Sequence, residues 1–245
     1  MFRHKGKNRT FIHNLRLATL LSFVAGIVNI TGVLSFKTLT TNVTGHFAFF
    51  AEEVMRKDFA AAITFLVFTL FFLLGAFIAN FISEFVAKTN PNLSHIFPIS
   101  LEILILLVVA FFGTSSNLIS FEGKSWSFAM LFAMGIQNSL VTKISQSTVR
   151  TTHLTGLFTD LGIELSQLFF YKKPEENKKL KTNIYLRISI IGFFFIGCVL
   201  GGFAFSLLEL KTLFIACFFL LIALLYDSIR LHYHLLKRRK NHSKD

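Results

Sequence analysis

Six long apolar segments constrain the fold of this chain more than any other feature of its sequence. They cover residues 17–36, 59–85, 96–112, 126–141, 184–208 and 213–231. A segment of about 20 apolar residues crosses the hydrocarbon core of a bilayer, and inside lipid a helix satisfies its own backbone hydrogen bonds. The sequence therefore predicts an all-α polytopic membrane protein in which residues 1–245 form a single integral membrane domain.

The charged residues lie mostly outside these segments. The formal net charge is +12, and the basic residues gather near the N-terminus, at 172–187 and at 237–240. Basic residues that flank membrane spans favour the cytoplasmic side and attract anionic lipid headgroups. We therefore expect basic tails at 1–14 and 232–245, both in the cytoplasm, and no nucleic-acid partner.

A sequence pattern that occurs twice predicts internal pseudo-symmetry. Gly26-Ile-Val-Asn29 and Thr40-Thr41-Asn42-Val43-Thr44-Gly45 in the first half match Gly135-Ile-Gln-Asn138 and Thr151-Thr152-His153-Leu154-Thr155-Gly156 in the second. Internal repeats are typical of membrane transporters that hold a site between their halves. We predict two pseudo-symmetric repeats, at about 17–115 and 126–231.

Two weaker apolar segments, 44–55 and 154–171, carry acidic residues. These are Glu52 and Glu53 in the first segment and Asp160 and Glu164 in the second. If both segments cross the membrane, eight segments form two parallel four-helix units; if both are re-entrant or half-helices, six long spans form two units of opposite orientation. We favour six long transmembrane helices plus two short helices, because polar starts at Gly, Thr and Asn are typical of broken helices that line a cavity.

Small residues at four-residue spacing predict close helix packing in both halves. Gly75 and Ala79 lie in one long segment, and Gly197 and Gly201 lie in its counterpart. Such pairs let two helix backbones approach closely in a membrane. The neighbour could belong to the same chain or to a second copy, so a homo-oligomer is compatible with the pattern.

The repeated motifs also carry a family resemblance. The sequence from Ser22 to Asn29 followed by Asn42-Val-Thr44-Gly45, with the two second-half motifs downstream, resembles the YoaK-like bacterial integral membrane proteins over about residues 15–231. The resemblance implies a multi-pass protein of the bacterial inner membrane, and it supplies no substrate or reaction. Two positions depart from the family pattern: Asn29 stands where an acidic residue is usual, and His46 stands where Asn is expected.

The Thr-Gly pairs mark a candidate site. A short helix that begins at such a pair exposes backbone N–H groups with partial positive charge, and the Thr hydroxyls beside them donate or accept hydrogen bonds. Two such helix starts at membrane depth would suit an anion or a small polar solute. The predicted substrate-binding residues are Asn29, Asn42, Thr44, Gly45, Asn138, Thr152, His153, Thr155 and Gly156. A structural alternative is that the Thr residues only cap helices and the two Asn residues only join helices.

The second short segment carries a further candidate feature. His153, Asp160, Glu164 and Gln167 recur at helical spacing, and we interpret them as a polar face opposite the leucines of that helix. In a functional interpretation, Asp160 and Glu164 couple proton or cation movement, with Arg150 as the nearby counter-charge. Alternatively, the helix lies at the membrane interface with its acids in water.

These features favour transport over catalysis. The sequence has no Gly-rich phosphate loop, no Gly-x-Ser-x-Gly elbow and no His-Glu-x-x-His motif, so we expect no enzyme activity, cofactor or metal. We predict a small-solute transporter or permease whose partners are the lipid bilayer and a small polar or anionic solute. The alternatives are a non-transporting scaffold or sensor, and an intramembrane hydrolase or lipid-modifying enzyme built from His153, Asp160 and Glu164.

Overall fold

The computed structural model describes residues 10–91, 93–114, 120–147, 149–171 and 173–225, and the regular secondary structure in these ranges is all helical. The helices are α1 (Phe11–Phe36), α2 (Val43–Met55), α3 (Phe59–Thr89), α4 (Ile96–Phe112), α5 (Phe121–Ser145), α6 (Leu154–Gln167), α7 (Pro174–Leu208) and α8 (213–225). A short 3-10 turn, Glu209–Thr212, separates α7 from α8. The predicted all-α class is confirmed.

Three parts of the described chain are long and apolar enough to cross a membrane. They are Phe11–Phe36, Phe59–Thr89 and the 52-residue stretch Pro174–Leu225. The third stretch is interrupted at Glu209, where φ is 50°. α7 therefore ends at Leu208, and the stretch forms two separate helices rather than one continuous helix. The predicted basic tails fall largely on residues 1–9 and 226–245, which lie outside the described residues.

The helices extend beyond the apolar segments that predict them. α1 begins at Phe11 and α7 begins at Pro174, several residues before the corresponding apolar runs. Pro174 occupies the first turn of α7, where its fixed φ suits a helix and its missing N–H costs nothing. The two short segments are helices at almost the predicted positions, α2 and α6.

α1 and α7 cross with their backbones in direct contact. Gly26 of α1 lies against the carbonyl oxygen of Phe194, and Gly197 of α7 lies against the carbonyl oxygen of Phe23. A Cβ at either glycine would overlap the opposite backbone. This crossing therefore exists only because both positions lack a side chain, which is the use of small residues expected between membrane helices.

α3 and α5 cross in the same manner. Gly75 of α3 lies against the carbonyl oxygen of Phe132, and Gly135 of α5 lies against the carbonyl oxygen of Phe72. Gly135 belongs to the same motif as Gly26, and Gly75 has the same place in its helix as Gly197. We call Gly26 and Gly135 the signature glycines, and α1 and α5 the signature helices. Each signature glycine packs against a long helix of the opposite half, so the predicted close packing occurs within one chain.

α1 and α5 also contact each other. The Gln137 side-chain amide donates a hydrogen bond of 3.0 Å to the carbonyl oxygen of Leu21, and the hydroxyls of Thr38 and Ser127 lie 3.1 Å apart. Around this pair, α2 packs on α3, α4 on α5 and α6 on α7. The two signature helices therefore stand next to each other, and each is covered by a helix from the other half.

α1 and α5 end in the same way, which directs the chain into the two short helices. Lys37 follows α1 with φ 53°, and Gln146 follows α5 with φ 51°. A left-handed residue after a helix turns the chain sharply and satisfies the last carbonyl groups. The N–H of Lys37 donates to the carbonyl oxygen of Val33 at 3.0 Å.

We predict that Gly197→Ala destabilises the protein whereas Gly192→Ala on the same helix does not. A Cβ at Gly197 overlaps the α1 backbone, while nothing lies within 4 Å of a Cβ at Gly192. Overpacking of this kind costs about 1–3 kcal/mol, and Ala in an open helical position is neutral or favourable by up to about 1 kcal/mol. Thermal unfolding of the purified protein in detergent measures both. Equal melting temperatures for the two variants would contradict the backbone contact.

Candidate functional site

A cavity of about 620 Å³ lies between the starts of α2 and α6. Its wall includes seven of the nine predicted substrate-binding residues: Asn29, Asn42, Thr44, Asn138, Thr152, His153 and Thr155. Phe72 and Phe194, whose carbonyl groups touch the signature glycines of α5 and α1, also line it. The structure therefore brings together polar residues from both halves of the chain at one place.

The two asparagines make matching hydrogen bonds at the edge of the cavity. The hydroxyl of Thr41 donates to Oδ1 of Asn29 at 3.0 Å, and the hydroxyl of Thr152 donates to Oδ1 of Asn138 at 3.0 Å. Each bond joins a signature helix to the loop before a short helix. Because both oxygens are engaged, each asparagine retains an amide NH₂ group that can donate to a solute.

Gly45 and Gly156 leave room for the side chain of the residue that precedes each short helix. Oδ1 of Asn42 accepts a hydrogen bond of 3.0 Å from the N–H of Gly45, which is an N-cap for α2. A Cβ at Gly45 would crowd the Asn42 amide, and a Cβ at Gly156 would crowd the His153 ring. These glycines do not line the large cavity, unlike the other predicted residues. Gly156 instead lines a second, adjoining one.

The second cavity, of about 380 Å³, lies between α6 and α7. Its wall includes Arg150, His153, Asp160, Asn183 and Arg187. Arg150 and His153 line both cavities. The short loop before α6 therefore lies between the large cavity, whose described wall holds no acidic side chain, and a second cavity whose wall includes Asp160.

An ion-pair cluster joins α6 to α7 beside the second cavity. Arg187 donates from Nε and Nη2 to the two carboxylate oxygens of Glu164, at 2.7 and 3.0 Å. Its Nη1 lies 2.9 Å from Oδ2 of Asp160. A fork of this kind is the strongest arrangement available to a guanidinium and a carboxylate.

Two expectations about α6 are wrong. Arg150 was expected as the counter-charge of the two acids, but the structure gives that role to Arg187. The acids were also expected opposite the leucines, yet Glu164 is buried on the same face as Leu157. These two residues are seven positions apart, which is about two helical turns, so burial of one implies burial of the other.

The first half holds α2 on α3 with aromatic rings instead of charges. The rings of Phe49 and Phe65 lie 5.2 Å apart, and the His46 ring lies 5.2 Å from the Phe68 ring. When the Thr-Gly pairs and the packing glycines are aligned, Phe49 corresponds to Asp160 and Phe65 corresponds to Arg187. The two halves therefore fasten their short helices by different physical means.

Two functional candidates escaped the sequence analysis. Arg187 belongs to the basic stretch 172–187 and also lies inside the apolar segment 184–208. Glu102 of α4 is fully buried, and neither of its carboxylate oxygens has a hydrogen-bond partner among the described residues. A lone acid within the apolar segment 96–112 was the available signal. In all the ranges that the structure describes, no three His, Cys, Asp or Glu side chains lie close enough together to bind a metal ion.

Comparisons with known proteins place the chain among membrane proteins. The family described as "Protein of unknown function (DUF1275)" matches residues 17–226. The UPF0700 transmembrane protein YoaK of Bacillus subtilis (strain 168) is 25% identical over 189 residues, which cover 77% of this chain and 82% of the relative. No solved structure matches the chain.

We predict that Arg187→Gln lowers stability and that Glu164→Gln restores part of it in the double variant. Removing the guanidinium leaves the buried Glu164 carboxylate without its partner, which costs on the order of 2 kcal/mol or more. Melting temperatures of the wild type, both single variants and the double variant form a thermodynamic cycle. Strictly additive effects would mean that the two side chains do not interact.

We predict that Glu102→Gln and Glu102→Leu preserve or raise the melting temperature. Glu102→Leu replaces a buried carboxyl group that has no hydrogen-bond partner among the described residues by an apolar side chain, and such a polar group costs about 1–3 kcal/mol. Glu102→Gln removes the ionisable group but keeps a polar side chain of the same size, so it is expected to preserve the melting temperature. Asp58→Ala serves as a control in which a helix cap is lost, since Asp58 accepts a hydrogen bond from the N–H of Ala61 and a lost cap lowers stability by about 1 kcal/mol. A large drop for Glu102→Leu would indicate that the carboxyl group has a stabilising partner.

Proposed function

This chain is a membrane protein of the DUF1275 family, and from that premise we propose that it is a small-solute transporter or permease of the bacterial inner membrane. The observation that carries the proposal is the cavity of about 620 Å³ lined by corresponding polar residues of both halves. A scaffold would not need such a chamber, whereas a transporter binds its solute between two units that move against each other.

The proposed membrane arrangement has six spanning helices and two short ones. α1, α3, α4, α5, α7 and α8 cross the bilayer, and α2 and α6 remain within it and begin at the cavity. Large side chains on α3 and α7, such as Leu73, Phe77 and Phe203, are more than half exposed, which suits contact with lipid acyl chains. An even number of spans keeps both termini on one side, which we assign to the cytoplasm.

The two halves are proposed to be pseudo-symmetric repeats. Three features support this: the two glycine crossings, the two Thr–Asn hydrogen bonds, and the left-handed residues after α1 and α5. With three long helices in each half, the repeats have opposite orientations in the membrane. The small residues are used inside the chain, so the proposal does not require a homo-oligomer.

Alternating access would then rock one packed pair of helices against the other around the cavity. α1 with α7 forms one such pair, and α3 with α5 forms the other. Each pair is held together by backbone contact, so it moves as a rigid body. The contact between α1 and α5 lies between the two pairs and is the surface on which the motion would occur.

Asp160 and Glu164 are the proposed coupling groups, and Arg187 is the residue through which they hold α6 on α7. Both carboxylates share the Arg187 guanidinium. Neutralising one carboxylate with a proton, or engaging it with a cation, would weaken the attachment of α6 to α7. Since α6 begins at the cavity, ion binding at the cluster and solute binding at the helix start would become linked.

We predict that the cavity positions are reached by water from alternating sides of the membrane. In a Cys198→Ala, Cys217→Ala background, single cysteines at Thr44, Asn138 and Thr155 are treated with a small membrane-impermeant thiol reagent in right-side-out cells and in inside-out vesicles. Cavity cysteines react from one side or from both sides in turn, because the lining residues are solvated in a transporter.

The control positions are chosen by burial. A cysteine at Phe68, which is fully buried, stays unreactive, and a cysteine at half-exposed Asp160 reacts in any functional class. If only the Asp160 position reacts, the polar repeat serves helix packing, and the protein is a scaffold or sensor whose acidic helix docks a partner.

A further inference from the structure

We propose that the solute bound in the large cavity is a small anion, such as a carboxylate, and that Arg150 is its counter-charge. This inference rests on the proposed function and specifies the chemical class of its substrate. It follows from three features of the cavity: the charge of its lining, the pairing of the nearby acids, and the hydrogen-bonding groups that its wall presents.

The lining of the large cavity carries positive charge without negative charge. Among the described residues that form its wall, Arg150 is the one charged side chain, and no Asp or Glu is present. The rest of the polar wall is made of Thr, Asn and His side chains. Arg150 is exposed, so a solute that enters the cavity meets an accessible positive charge, which raises the local concentration of anions.

The two acids of α6 are paired with a different cation. Asp160 and Glu164 both pair with Arg187, and within the described part of the chain Arg150 forms no ion pair. Asp160 lines the second cavity together with Arg150, but its carboxylate lies 2.9 Å from the Arg187 guanidinium and is half exposed. Arg150 therefore retains its charge for a group that enters the large cavity.

The asparagines present hydrogen-bond donors to the same space. The side-chain oxygens of Asn29 and Asn138 accept from Thr41 and Thr152, and within the described residues neither amide nitrogen has a hydrogen-bond partner. Both residues line the cavity. An Asn NH₂ group donates and does not accept, so a solute between them and Arg150 is recognised best if it offers oxygen acceptors with negative charge.

The test compares two thiol reagents of opposite charge at Thr155→Cys in the cysteine-free background. The probes are sulfonatoethyl methanethiosulfonate, which is anionic, and trimethylammonium-ethyl methanethiosulfonate, which is cationic. Their rate ratio is normalised to the ratio measured with free 2-mercaptoethanol. We expect the anionic reagent to be favoured by roughly three- to tenfold, because a fixed charge raises the local concentration of its counter-ion. Arg150→Gln removes this preference, and Arg150→Lys keeps most of it.

Lys211→Gln is the matched control. It removes one positive charge from the 3-10 turn between α7 and α8, away from the cavity wall, and it leaves the rate ratio unchanged. The wild-type ratio alone tests the inference if Arg150→Gln fails to fold.

The remaining outcomes separate the two proposals. If both reagents react but the ratio equals that of free thiol, or does not respond to Arg150→Gln, the anionic class is wrong and the solvated cavity stands. If neither reagent reacts, the cavity is not a solute pathway, and the proposed function is overturned together with this inference.

Discussion

The contact of helix backbones at four glycines is the constraint on which the rest of this structure depends. At Gly26, Gly75, Gly135 and Gly197, a carbonyl oxygen of the facing helix occupies the space that a Cβ would need. In lipid, where apolar side chains gain little by leaving one apolar environment for another, such close van der Waals contact is a main source of helix association. The two crossings hold α1 on α7 and α3 on α5, and they tie each half of the chain to the other.

The position of the cavity follows from these crossings. Asn29 lies three residues after Gly26, and Asn138 lies three residues after Gly135, so in each helix the asparagine shares the face of the packing glycine. The carbonyl groups of Phe194 and Phe72 touch those glycines, and both phenylalanines also line the cavity. The helices therefore touch at the glycines, and the two asparagine amides, one turn further along, border the cavity.

The two halves of the chain attach their short helices by different chemistry. α2 rests on α3 through rings that include Phe49 and Phe65, and α6 rests on α7 through Arg187 and two carboxylates. A contact between two phenylalanine rings does not respond to ions or protons, whereas a partly buried ion-pair cluster responds to both. The attachment of α6 to α7 therefore depends on charge, whereas that of α2 to α3 depends mainly on aromatic contact.

By itself the sequence determined the helical class, the positions of both short helices and the close packing at the small residues, because these depend on local apolar length, on polar helix starts and on absent side chains. It also named Asn29, Asn138, Thr44 and Thr155, which the tertiary structure places around one cavity. Only the tertiary structure decided the partners: Arg187 rather than Arg150 for the α6 acids, and burial rather than exposure for Glu164. The physical reason is that an ion pair depends on the distance between two helices, and their crossing brings together residues far apart in the chain, which periodicity within one helix does not encode.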